Sequence, residues 1–232
     1  MDATWFLKQR TKFIRFYFDE CIGAFTARQA TIERHEPPFA DSVPDESGEP
    51  PHLAEWMEGR SGIDMTALTC VSLLSDALKL YFVSLQHRVI GFEFRGTQVE
   101  LRGLWKPGFL ATYKGVLAQI LQTDWSDCPV DFAIIEQVVL ARNRAQHGSD
   151  LTSLRVTHDR HTLQKYPRPF FASDEEMQSW VAEDGEQSYL FAPAIEITRE
   201  NLFEAIAQTE ALAEWIDGRG EKIWEWRMAG RE

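Results

Sequence analysis

The sequence predicts a mainly α-helical protein folded as a helical bundle. Apolar residues recur at helical spacing in five long runs, at 3–34, 63–90, 109–122, about 130–147 and 198–217. All ten prolines fall outside these runs or at their edges. Alternation of the kind that marks strands is short and weak by comparison.

The first run carries Trp5, Phe6, Phe13, Phe16, Tyr17, Ile22 and Phe25 with no proline, and Lys8, Lys12 and Arg15 fall on one stripe of it. Residues 35–60 hold five of the ten prolines and most of one acid cluster, so they read as an exposed or disordered insertion. The run at 63–90 has the broadest apolar face, from Met65, Leu68, Val71, Leu74, Leu78, Tyr81, Phe82 and Leu85. Residues 91–106 alternate weakly around Gly96, which predicts a short hairpin or an extended loop. Pro107-Gly108 punctuates, and a helix over 109–122 follows. Pro129 opens the next helix, whose buried face is Phe132, Ile135, Val138 and Val139 and whose left-handed cap is expected at Gly148. Residues 149–172 read as irregular because Pro167 and Pro169 block helix. Ser173 with Glu176 fits a capping box for a short helix over 173–183. Residues 189–197 read as a strand or extended segment. Thr198 then caps a helix to about 217, and Gly218 and Gly220 end it before a short Trp-rich tail. A single domain over 1–232 with an inserted loop accounts for these elements.

Composition narrows the function classes. Three cysteines, Cys21, Cys70 and Cys128, stand far apart with no CxxC, which argues against a disulfide framework or a structural zinc site and suits a reducing compartment. The N-terminus lacks the layout of a signal peptide, and no run of about 18 uncharged apolar residues occurs. A cytoplasmic protein without a membrane span is expected. The net charge of -12 is concentrated. Residues 33–60 hold eight acids against two bases, residues 173–187 hold six acids and no Lys or Arg, and the rest of the chain is balanced. Residues 141–170 are locally basic, with Arg142, Arg144, Arg155, Arg160, Lys165 and Arg168 against Asp150 and Asp159, so a polyanion has a local place to dock.

The chain has no GxxxxGK[ST], GxGxxG, HExxH or GxSxG. His158-x-x-His161 has metal-ligand spacing but no cysteine or well-placed carboxylate beside it, so two loop histidines are the preferred reading. No metal and no cofactor are expected. The distinctive stretch is Arg142-Asn143-Arg144-Ala145-Gln146-His147-Gly148 at the end of an apolar helix. It combines a permanent cation with a side chain that changes charge near neutral pH.

This stretch resembles the HEPN family (higher eukaryotes and prokaryotes nucleotide-binding), whose motif is an Arg, four to six residues, and a His at a helix end, often with Asn after the Arg. Arg142, Asn143 and His147 match those positions, and the run of surrounding helices agrees in pattern. The insertion at 35–60 departs from a minimal member of the family. The resemblance implies a HEPN-like helical bundle that dimerises around its motif helices. It also implies a metal-independent ribonuclease of a toxin–antitoxin or antiviral type, or a scaffold or nucleotide-binding regulator that has lost catalysis. Its expected partners are a second copy, an RNA substrate and an antitoxin or other protein, with no membrane.

Helix geometry can be weighed separately. At 100° per residue Arg142 and His147 point about 140° apart, whereas Asn143 and His147 share a face, so Asn143 is placed to hold the imidazole. Arg142 and His147 are the expected catalytic pair, and Asn143 and Arg144 the expected supporting residues. The alternative is ordinary helix-end chemistry, because basic residues complement the dipole of a last turn. Trp215, Trp224 and Trp226 fit packing or an interface better than base stacking.

Overall fold

A computed structural model describes residues 2–40, 48–147, 155–180 and 192–229. Its architecture is mainly helical, with nine α-helices and one π-helical turn among the described residues. By its internal contacts the chain divides into two compact units, one of residues 1–12, 73–139 and 203–232 and the other of 13–72 and 140–202.

The first unit contains the start of α1 (Ala3–Glu33), the second half of α2 (Leu53–Ser84), a π turn (Leu85–Ile90), α3 (Gln98–Trp105), α4 (Phe109–Ile120), the start of α5 (Phe132–Gln146), most of α8 (Arg199–Asp217) and α9 (Gly220–Ala229). Leu78, Phe82, Ile90, Leu117, Ile135, Leu212 and Ile216 form its core. Phe82 stacks on Tyr113 at 5.0 Å between ring centroids, and the Tyr113 hydroxyl donates to Gln86 Oε1 at 2.6 Å, so a buried amide and a buried phenol satisfy one another. Gly91 ends the π turn in the left-handed region, with φ of 81°, and its N–H bonds the Gln86 carbonyl. The expected hairpin over 91–106 is not formed. Residues 98–105 are helical because Thr97 and Glu100 close a reciprocal capping box, a local interaction that outweighs the weak alternation. The Trp-rich tail is helix α9. Trp215 stacks on Trp125 at 4.9 Å, its indole donates to the Asp127 carbonyl, and the Arg219 guanidinium lies 3.4 Å from its ring. Trp226 packs edge-on to Phe92, whereas Trp224 is 62% exposed.

The second unit contains the rest of α1 and α2, the end of α5, α6 (Arg160–Lys165), α7 (Asp174–Trp180) and the start of α8. α2 starts at Leu53, two residues after Pro51, so the loop expected over 35–60 is shorter than its composition implied; residues 41–47 of it lie outside the described residues. Contacts to α1 draw residues 53–60 into helix: Trp56 donates to Glu33, and Arg28 pairs with Glu58. α6 forms where irregular chain was expected, because the Asp159 carboxylate accepts from the Thr162 N–H at 2.7 Å. The expected strand near 189–197 is reduced to one antiparallel bridge, Thr157 to Ala194; residues 189–191 lie outside the described residues. The apolar run of α2 is long and apolar enough to cross a membrane by length and composition, but 56% of its most apolar window is buried within the protein.

On α2, the Phe25 ring of α1 packs over Gly62. A Cβ there would lie 2.4 Å from the Phe25 ring, whereas one at Gly115, exposed on α4, would meet nothing within 4 Å. Gly62→Ala is expected to cost about 1–3 kcal/mol, as overpacking does. Gly115→Ala should instead stabilise by about 0.5–1 kcal/mol, the helix-interior preference for Ala over Gly. Thermal and urea unfolding of the two variants checks the opposite signs.

Candidate functional site at the end of α5

α5 is started by Asp131, whose carboxylate accepts from the Ala133 N–H at 2.8 Å. Ile135, Val138 and Ala141, at 0%, 0% and 2% exposure, define its buried edge. That edge fixes how the last turn is presented. Arg142 and Arg144 are half-buried, and Asn143 and His147 are exposed. His147 follows the last helical residue, and its N–H still bonds the Asn143 carbonyl at 3.0 Å. The cap expected at Gly148 lies outside the described residues.

The structure does not bring Arg142 and His147 together as a hydrogen-bonded pair. Asn143 is engaged with the arginine rather than the imidazole: its Oδ1 accepts from Arg142 Nη1 at 3.3 Å. A neutral amide oxygen beside the guanidinium orients the cation without neutralising it. His147 therefore offers an accessible imidazole one turn from a cation that Asn143 steadies.

Arg144 has a different surrounding. Its Nε donates to the Thr157 carbonyl at 2.9 Å and ties the helix end to the segment carrying His158 and Asp159. His158 is only 5% exposed, and its Nε2 lies 2.9 Å from the Phe171 carbonyl. A carbonyl only accepts, so Nε2 is the protonated nitrogen of this neutral ring. Burial holds His158 below the usual imidazole range; the Arg144 charge acts in the same direction, while the Phe171 bond and Asp159 oppose it. Burial pushes Asp159 up, but the N–H and hydroxyl of Thr162, with Arg144 and His161, outweigh it and hold the carboxyl below its ordinary value. His161 is exposed, and no metal-binding group of three or more His, Cys, Asp or Glu occurs among the described residues.

The locally basic segment is partly compensated by an acidic element distant from it in composition. Arg155 pairs with Glu176 at 2.7 Å, and Arg168 with Asp174 at 3.6 Å, both acids belonging to α7. The capping box expected at α7 is half realised: Ser173 accepts from the Glu176 N–H, while the Glu176 carboxylate takes the Ala194 N–H and Arg155. A concavity of about 400 Å³ in this unit is lined by Arg60, Asp64, Arg155 and Glu196, and its cations face carboxylates as well.

Two outcomes follow. Arg144→Ala should lower stability by about 1–3 kcal/mol by removing a charged donor from a partly buried carbonyl, and Arg144→Lys should not restore it, since an ammonium lacks the guanidinium's directed Nε–H; denaturant unfolding measures both. His158 gives a pH effect of fixed sign. On unfolding it returns to its ordinary value near 6.5 and binds protons that the folded form refuses. Stability from this group is complete above about pH 6.5 and declines as the pH falls below it. His158→Gln should flatten that part of the stability–pH curve.

No known family model matches the chain, and comparison with characterised proteins and with solved structures found no significant similarity.

Proposed function

We propose that the chain is a metal-independent endoribonuclease of the toxin or defence type, acting in the cytoplasm as a homodimer, with Arg142 and His147 as its catalytic groups. One observation carries the reading: an exposed imidazole sits one turn from a half-buried guanidinium that the Asn143 amide orients, at a helix end. His147 takes the proton of a ribose 2′-hydroxyl, whose oxygen attacks the adjacent phosphorus. Arg142 stabilises the charge that builds on the phosphoryl oxygens. The 5′-oxygen leaves with a proton from water or from the His147 of a second copy, and the other product ends in a 2′,3′-cyclic phosphate. DNA lacks the attacking group and is inert. Because the two side chains diverge by about 140° on a straight helix, joint action on one phosphate requires either unwinding of the helix end or both copies in one cleft.

The divergence favours a second reading, a non-catalytic scaffold that uses the same helix end to hold an anionic partner. Labelled RNA and its DNA equivalent, incubated with the protein in EDTA, separate the two. The ribonuclease reading expects RNA-only cleavage with a cyclic phosphate end. It also expects a loss of roughly 10²–10⁴-fold in His147→Ala and Arg142→Ala, the usual worth of acid–base and charge-stabilising groups, with circular dichroism unchanged. Full activity in folded His147→Ala, or no cleavage by the wild type, rejects it.

A further inference from the structure

Within the first unit, the start of α1 and the end of α2 enclose a groove of about 320 Å³. That volume is at the lower end for small-molecule sites. Its floor is Leu7 and Tyr81, buried at 2% and 4% exposure, and its sides are Phe6 and Leu80, which stay 51% and 47% exposed. The Tyr81 hydroxyl donates to the Ala213 carbonyl at 3.3 Å, so the polar end of this phenol is already satisfied. The charged residues lining the groove are Arg10 and Arg88, both exposed, and Ser84, one turn before Arg88, adds a hydroxyl. Apolar walls that water still reaches, combined with guanidinium groups, suit a ligand that is apolar and anionic at once.

The two arginines stand at opposite ends of the groove. The Thr4 and Tyr81 hydroxyls both donate to the Ala213 carbonyl, and Ala3 and Thr4 share a second, smaller concavity with Leu85 and Val89. The start of α1 therefore lies beside residues 85–89, which include Arg88. Arg10 comes seven residues after Ala3, about 10 Å further along α1, at the end of the groove that Ala77 of α2 lines. We infer that the groove binds a linear aliphatic dianion: two carboxylates about 10 Å apart, one on each guanidinium, joined by a hydrocarbon chain lying over Leu7 and Tyr81. A single carboxylate would engage only one arginine, and a short dicarboxylate could not reach both. An extended peptide fits worse, because Phe6, Leu7 and Leu80 offer its N–H and C=O groups no hydrogen-bond partner. None of this depends on RNA cleavage.

Isothermal titration of the full chain with decanedioate, whose extended chain spans that separation, is compared with decanoate, decanediol and butanedioate. Decanedioate is expected to bind about three- to fivefold more tightly than decanoate, the worth of one exposed charge pair, and the diol and butanedioate should bind more weakly still. Arg10→Gln and Arg88→Gln should each bring decanedioate down to the affinity of decanoate, with an unchanged helical spectrum. Leu80→Asp puts a carboxylate in the wall at an exposed position and should abolish binding of both acids. No binding of decanedioate at millimolar concentration, an affinity equal to that of decanoate in the wild type, or indifference to the arginine substitutions or to Leu80→Asp overturns the proposal.

Discussion

The tie from Arg144 Nε to the Thr157 carbonyl sets the chemistry available at the end of α5. The tie joins a helix terminus to a segment thirteen residues on in the chain. The same segment carries a histidine made neutral by burial and an aspartate that starts α6. Arg142 and Arg144 are two residues apart and lie on nearly opposite sides of the helix. Fixing one to the backbone leaves the other on the far side of the helix, beside the Asn143 amide. Two arginines of identical chemistry thus acquire different surroundings from their angular position alone: Arg144 ties the helix end to the backbone of a later segment, and Arg142 lies beside the Asn143 amide.

The two histidines nearest this tie divide in the same way. His158 is buried against a carbonyl and resists protonation, so it acts on stability. His147 is exposed at the terminus, where solvent reaches it.

The long helices were legible because burial writes a period of 3.6 into many residues at once. α1, α4, α5 and α8 begin and end within a residue or two of where Phe, Leu and Ile repeats and the flanking prolines put them. α3 and α6 were not legible from period, being eight and six residues long. Each depends on one cap, Thr97 with Glu100 or Asp159 with Thr162, and a single side chain leaves no periodic trace. At the site, the helix-end placement of Arg142, Asn143 and His147 could be read directly. Which partner each side chain takes could not, because Asn143 chooses between two neighbours of similar reach and Arg144 finds its carbonyl in a segment that reads as irregular. The charge pattern misled for a related reason. The basic stretch 141–170 and the acids of 173–187 look like separate fields along the chain, yet Arg155 with Glu176 and Arg168 with Asp174 close them on each other.

That mutual closure bears on how a protein of net charge -12 could hold a polyanion at all. Cations already facing carboxylates add little to phosphate affinity, since displacing the carboxylate offsets the gain. What matters is a cation whose bonded neighbour is neutral. Arg155 beside Glu176 does not meet that condition, whereas the Asn143 amide beside Arg142 leaves the guanidinium charge in place. On the proposed reading, an RNA gripped at one or two phosphates next to its 2′-hydroxyl would displace few counterions, so its binding would depend only weakly on salt.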